Sequence, residues 1–277
     1  MKTALKAKKV KKAKKVKEEE AVYADSKIQT TTVWSFPDRG KWATHSASYR
    51  GNWAPQIARN LILLYSKDGD TILDSMAGGG TTLVEAKLLK RKGVGFDIHS
   101  EVVSLAKTAC AFEKDPGMFE PKIEQGDARN LENISDESID LIATHPPYLN
   151  IIQYGEKEKV GDLSRISNLQ KFCDQIEVVA RECYRVLKPG KYCAILIGDT
   201  RRRRHFVPLA FNVLQRFLKA GFILKEDIIK LQHNCSATRY WNAQQKDFLL
   251  IMHEHLFVFR KPGKTDNLTD FKNSLFR

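Results

Sequence analysis

The sequence predicts an α/β protein built on a mostly parallel, doubly wound sheet. Three observations carry that prediction. Five short apolar runs (TILDSMA, GVGFDI, KIEQGDA, IDLIATH and YCAILIGD) alternate with stretches of helical period, the pattern of parallel strands joined by covering helices. Each run ends on polar residues, so chemistry gathers at one edge of the sheet. Two closely spaced runs near the end, LKEDIIKLQ and FLLIMHEHLFVFRK, suit a final antiparallel pair and bring the expected total to seven strands.

Taken in order, residues 1–20 form a lysine-rich tail. Residues 1–17 hold nine lysines and no acid, and removing them from the net charge of +13 leaves +4 for residues 18–277. Such an arm is drawn to polyanions, because each phosphate it neutralises releases condensed counterions. Residues 21–53 mix polar and aromatic side chains with little period and read as an ordered loop. APQIARNLILLYS is then a helix, with Pro55 in its first turn and Ile57, Leu61 and Leu64 on one face.

The alternation begins after Gly69, with TTLVEAKLLKR, SEVVSLAKTACAFEK and NLQKFCDQIEVVARECYRVLK as its helices. A further helix, FVPLAFNVLQRFLKAGF, follows Asp199. No repeat or interdomain linker interrupts the chain, so residues 21–262 read as one domain and 263–277 as a C-terminal extension.

Composition excludes several classes. No apolar run reaches the roughly 18 to 20 residues of a membrane span, and the N-terminus lacks the apolar core of a signal peptide, so the expected location is the cytoplasm. Cys110, Cys173, Cys183, Cys193 and Cys235 are odd in number and contain no C-x-x-C pair. They read as reduced thiols, with neither a disulfide framework nor a zinc ribbon.

The strand ends carry the candidate site. The first run closes in Asp74-Ser75-Met76-Ala77-Gly78-Gly79-Gly80-Thr81-Thr82, a glycine turn opening a helix, where missing side chains let a ligand approach the backbone. It is not a G-x-x-x-x-G-K-[ST] phosphate loop. The second run ends at Asp97, suited to a ribose diol, and the third at Asp127, suited to an adenine amino group. The fourth delivers His145-Pro146-Pro147-Tyr148. Prolines fix the backbone so that His145 and the Pro146 carbonyl stand as hydrogen-bond acceptors, while Tyr148 offers a flat face for stacking. That set suits a planar base whose exocyclic amine must be polarised before it can attack.

These residues resemble a known family. LDSMAGGGTT is similar to the Asp-Pro-Phe-x-Gly-Ser-Gly-Thr-Thr cofactor loop, and HPPY to the (Asp/Asn/Ser)-Pro-Pro-Tyr motif, of the S-adenosylmethionine-dependent DNA amino-methyltransferases that form N4-methylcytosine or N6-methyladenine. YRGNWAPQIARNLI, CYRVLKPGKYCAILIGDTRRRR and HEHLFVFRK also look like this family, extending the likeness over about residues 33–262.

The resemblance implies a class I, Rossmann-like methyltransferase fold and a base flipped out of double-stranded DNA. It implies that Asp74, Ala77, Gly78, Gly80 and Thr82 shape the S-adenosylmethionine pocket, that Asp97 and Asp127 hold ribose and adenine, and that the segment around Arg50, Gly51 and Asn52 closes over the methionine part. It places the chain among enzymes of DNA methylation and restriction–modification.

Departures from the family pattern sharpen the expectations. Ser75, Met76 and Gly79 replace the loop's Pro, Phe and Ser, and His145 replaces Asp, Asn or Ser. A histidine accepts a proton only when neutral, so activity should fall in acid. No segment of about 80 residues is free to form a separate target-recognition domain, so sequence choice falls to loops 149–170 and 232–247, or to a partner or second copy.

Arg201, Arg202 and Arg203 after the fifth strand, and Arg239, Tyr240 and Trp241 in TRYWNAQQK, are the expected nucleic-acid contacts. His253 and His255 alternate on one strand face but lack a third partner in the sequence, and no metal is expected. No cysteine suits covalent attack on cytosine carbon, so the target atom is nitrogen. The alternatives are an RNA amino-methyltransferase, and a non-catalytic nucleic-acid binder disabled by His145.

Overall fold

The computed structural model describes residues 28–155, 160–234 and 247–275. Its centre is an eight-stranded sheet. The strands are β1 (Val33–Trp34), β2 (Thr71–Asp74), β3 (Lys92–Asp97), β4 (Lys122–Gln125), β5 (Ile139–Thr144), β6 (Leu187–Ile197), β9 (Ile223–Leu231) and β10 (His253–Arg260), in the order β1-β9-β10-β6-β5-β2-β3-β4. A separate hairpin, β7 (Thr200–Arg202) and β8 (His205–Val207), follows β6.

All neighbouring pairs are parallel except those of β10, which runs antiparallel to both β6 and β9. The expected antiparallel pair is thus one reversed strand wedged between two parallel ones. The count is eight rather than seven because β1 adds a two-residue edge, with Ile229 N donating to Thr32 O at 2.8 Å. Two residues show no period to read. What holds β1 is burial, since Trp34 is 1% exposed within the core.

Strand alternation divides the core into two layers. Cys193, Ile195, Ile197, Phe257 and Phe259 meet α4 (Leu169–Val186) and α5 (Leu209–Lys219) on one face. Ala194, Leu196, Leu256 and Val258 meet α1 (Pro55–Tyr65) on the other. Toward the β4 edge that second layer continues with α2 (Thr81–Leu88) and α3 (Ser100–Cys110).

The start of α1 matches the sequence expectation, with Pro55 at its first position, where a missing N–H costs nothing. Residues 263–275 return to the sheet, where Leu224 N donates to Ser274 O at 3.0 Å. Among the described residues no helix is long and apolar enough to cross a membrane.

Candidate active site

The glycine turn is fastened from three sides. Asp74, buried at the end of β2, accepts from Thr82 Oγ1 at 2.5 Å and from Met76 N at 3.2 Å, tying both ends of the turn together. Burial raises its pKa to about 6 against the pull of those hydrogen bonds. Asp97 accepts from Gly78 N at 3.1 Å and His99 N at 3.0 Å, and burial raises its carboxyl too.

The third fastening comes from the N-terminal loop, where Asn52 Oδ1 accepts from Gly79 N at 3.0 Å. A Cβ on Gly79 would lie 2.4 Å from Asn52 Nδ2, so the glycine that departs from the family pattern is what lets the loop close. Ala77 and Thr82 are buried in the turn, and Gly80, at φ +83, caps α2 in the left-handed region.

The loop carrying Asn52 is anchored by a buried acid. Glu85 of α2 is fully enclosed and accepts from Trp42 Nε1 at 2.6 Å and Arg59 Nη1 at 3.2 Å, with His45 Nε2 at 2.6 Å. Four residues distant in sequence therefore set where Tyr49, Asn52 and Trp53 stand. The sequence reading did not single out any of Trp42, His45, Arg59 or Glu85.

Three adjoining clefts run along this edge. The first, about 450 Å³, is lined by Asp97, Ile98, Asp127, Asp162 and Leu163. The second, about 460 Å³, is lined by Tyr49, Asp74, Ala77, Gly78 and Thr81, and shares Met76, Pro147 and Tyr154 with the first. The third, about 1270 Å³ and open to solvent, holds Arg39, Lys41, Lys230 and Glu254. It shares Gly51, Asn52, Trp53 and His145 with the second. His145 thus stands on the wall between the glycine-loop cleft and the large one.

The elbow itself is the end of a hydrogen-bonded chain. Lys230 Nζ donates to Glu254 Oε2 at 2.8 Å, Tyr148 Oη donates to Glu254 Oε1 at 2.8 Å, and His145 Nε2 lies 2.6 Å from Tyr148 Oη. Burial alone would raise the Glu254 carboxyl, but Lys230 and the other partners hold it below the usual range. Burial and the neighbouring Glu254 push the Tyr148 phenol well up, so it keeps its proton and donates a hydrogen bond to the carboxylate.

The phenol oxygen is then an acceptor for His145, and the Gly51 backbone bonds the ring as well. The Glu254 charge and the Gly51 backbone favour a proton on the imidazole, while Lys230 opposes it. Burial wins, and the pKa of His145 falls to about 4, leaving it neutral at pH 7.

This arrangement gives Tyr148 a part beyond the one expected. Its ring packs over Gly198, where a Cβ would come within 2.7 Å, and lies outside the lining of the three clefts. The phenol fastens the elbow, and the ring remains partly exposed. The aromatic surfaces on the clefts are Trp53, stacked on His145 at 5.8 Å and 15°, and the Tyr49–Tyr154 pair, stacked at 5.8 Å and 22°. Pro147 lines the first two clefts, while Pro146 is buried behind them.

Asp127 reaches the first cleft as expected, with an added partner. Its carboxylate accepts from Arg129 N at 2.9 Å and Nε at 3.0 Å, and is clamped by Nη2 of the same arginine. A ligand amine would share that carboxylate with Arg129. The arginine hairpin divides in two. Arg201 is committed inward, donating to Arg204 O and Leu249 O with its guanidinium 5.0 Å from the Phe248 ring centroid. Arg202 donates to Asn150 Oδ1 at 3.0 Å, just beyond the elbow, and Arg203 is exposed at the tip. Arg239, Tyr240 and Trp241, like the lysine tail, lie outside the described residues.

The sequence matches the family model for DNA methylase over residues 1–108 and 139–275. The Type II methyltransferase M.MjaI of Methanocaldococcus jannaschii is 32% identical over 169 residues, which cover 50% of this chain and 55% of that protein. A tRNA (guanine(10)-N2)-dimethyltransferase of Methanothermobacter thermautotrophicus is 34% identical over 113 residues, 40% of this chain and 32% of that protein. Among solved structures, TrmN from Thermus thermophilus has a TM-score of 0.51 at 21% identity, covering 76% of this chain and 50% of that one, a likeness of fold. The chain spans about half or less of the length of these relatives.

Proposed function

The chain belongs to the DNA methylase family, and from that premise we propose that it transfers a methyl group from S-adenosylmethionine to the exocyclic amine of a flipped cytosine (N4) or adenine (N6) in DNA. The observation that carries the reading is the position of His145, on the wall common to the glycine-loop cleft and the large cleft.

The donor set of the first two clefts fits the methyl donor. Asp97 and Asp127 offer carboxylate acceptors to hydroxyl and amino groups, and each oxygen can accept more than one hydrogen bond. Ile98, Met76 and Leu163 supply apolar walls. Bound there, S-adenosylmethionine supplies an electrophilic methyl group on a sulfonium.

The chain's own part is positioning and proton handling. A base amine is a poor nucleophile while its lone pair is delocalised into the ring, and acceptors on the elbow draw out its hydrogens. After transfer the amine sheds a proton. The imidazole of His145, held by Tyr148 Oη and the Gly51 backbone, orients the elbow, and the proton leaves to solvent. Lys41 and Arg39 in the large cleft, and Arg202 and Arg203 on the hairpin, suit a phosphate backbone.

The test is mass spectrometry of nucleosides from unmethylated duplex DNA, and from RNA in parallel, after incubation with the protein and isotope-labelled S-adenosylmethionine. Label in N4-methylcytosine or N6-methyladenine of DNA is the expected result and settles the base. Label confined to RNA overturns the DNA reading in favour of a second one, an RNA amine, which the 34% identity to a tRNA dimethyltransferase supports. Cofactor binding with no label in either nucleic acid refutes both and leaves a non-catalytic binder.

A further inference from the structure

We infer that Asp199, His253 and His255 form a binding site for one divalent transition-metal ion, zinc by its donor set, beside the catalytic elbow. Two histidines alternating on a strand carried no metal argument in the sequence for want of a third ligand. The fold supplies one. Asp199 follows β6 by two residues, and the antiparallel register sets His255 of β10 opposite Ile197, which brings the start of β10 beside that carboxylate. One ligand atom from each of the three residues lies within 4.8 Å of the others.

Two further observations point to a ligand. The Asp199 side chain is 1% exposed, yet its Oδ2 has no hydrogen-bond partner among the described residues, while Oδ1 accepts from Ala210 N at 2.8 Å at the start of α5. A buried carboxylate oxygen without a donor is costly unless a cation or proton answers it. Oδ2 lies 3.8 Å from His255 Nε2. Tetrahedral zinc with bonds near 2.0 to 2.1 Å places its ligand atoms about 3.3 Å apart, so this edge needs to close by only about half an ångström.

The other observation concerns the far nitrogen of the same ring. His255 Nδ1 lies 3.0 Å from Asp227 Oδ1, which directs Nε2 at Asp199. A metal-bound histidine characteristically gives its second N–H to a carboxylate in this way. Two imidazole nitrogens and one carboxylate oxygen, with a fourth position for water, match zinc better than magnesium or calcium, which prefer all-oxygen shells.

The site would act as a clasp. It joins the end of β6, the start of β10 and the start of α5, and His253 and His255 flank Glu254, which points the other way to hold Tyr148. The competing account is a metal-free ion pair of His255 with Asp227 and Asp199.

Purified full-length protein, stripped with a chelator and dialysed against zinc chloride, is analysed for metal per chain by plasma mass spectrometry. Affinity is read by competition with a chromophoric chelator. One equivalent of zinc is expected, with binding about tenfold or more weaker in both His253→Ala and Asp199→Asn, the loss typical of a removed ligand or its support. His205→Ala serves as a control and should bind as wild type. Asparagine keeps an oxygen for Ala210 N, and His253 is partly exposed, so both variants should remain folded by circular dichroism. Cobalt(II) in the same site should give the intense visible bands of a tetrahedral ion. Wild-type protein that takes up no zinc, or variants that bind zinc as tightly as wild type, overturns the site and leaves the ion pair.

Discussion

Replacing Tyr148 with phenylalanine separates two accounts of the elbow. If the ring serves by stacking on the target base, Tyr148→Phe keeps that ring and should be close to wild type. If the hydroxyl serves by fastening His145 to Glu254, the same substitution removes two buried hydrogen bonds, of 2.6 and 2.8 Å. The bond to an ionised carboxylate contributes about 1.5 to 3 kcal/mol and the one to a neutral imidazole about 1 kcal/mol, so the expected loss is about 2.5 to 4 kcal/mol.

For a chain of this size that corresponds to a fall in Tm of roughly 5 to 15 °C. Urea denaturation measures the energy whatever the substrate is. In single-turnover methylation with saturating cofactor, displacement of His145 should slow the reaction about 10- to 100-fold, with the affinity for S-adenosylhomocysteine unchanged. A double-mutant cycle with Glu254→Gln should show a coupling of about 1 kcal/mol or more. A variant within about 0.5 kcal/mol of wild type, with full activity, refutes the fastening role and restores stacking.

Further predictions concern pH, the loop anchor and the hairpin. His145 binds a proton at about 4 in the folded state and 6.5 when unfolded, so acidification through that window destabilises the fold by about 3 kcal/mol. Asp74, raised to about 6 from 3.8, has the opposite sign and stabilises by about 3 kcal/mol as pH falls from 6 to 3.8. The stability difference between wild type and His145→Asn should therefore shift by about 3 kcal/mol between pH 6.5 and 4, and a constant difference would contradict the burial-lowered histidine. Glu85→Gln leaves Arg59 and its neighbours without their buried acid and should cost about 3 to 5 kcal/mol, with faster proteolysis within residues 28–54. Arg203→Ala should weaken nucleic-acid binding uniformly across sequences and lower the salt dependence by about one counterion. Arg201→Ala should instead lower thermal stability, because that guanidinium is bonded to Leu249 O and faces Phe248.

What could be read from the chain in advance was local and periodic. The strand runs, the Pro55 helix start and the glycine turn each announce themselves within a dozen residues, and all three stand where the sequence placed them. The strand-end acids Asp74 and Asp97 do reach one edge, yet both are engaged in holding the turn together. The loop anchor Glu85 was hidden because its donors are 26 to 43 residues away. The bond from Tyr148 to Glu254 was hidden for the same reason, its partner being 106 residues distant. A signal did exist, since an acid between two histidines at the head of an apolar strand invites the question of what pairs with it. Arg129, two residues from Asp127, was visible as well, and its short reach back to that carboxylate is a local interaction.

The reversed strand explains why so much converges on His253–His255. Parallel strands bring their carboxyl ends to the active edge; only an antiparallel strand brings its beginning there. β10 therefore delivers its first three residues to the same rim that β2, β3 and β5 reach with their last ones. Strand alternation then sends Glu254 to one side, where it sits opposite Lys230 of β9 and holds Tyr148, and His255 to the other, toward Asp227 and Asp199. A slip of one residue in this pairing would turn Glu254 toward α5 and the histidines toward the elbow. The register of one strand thus fixes both the charge behind the elbow and the ligand set of the proposed clasp.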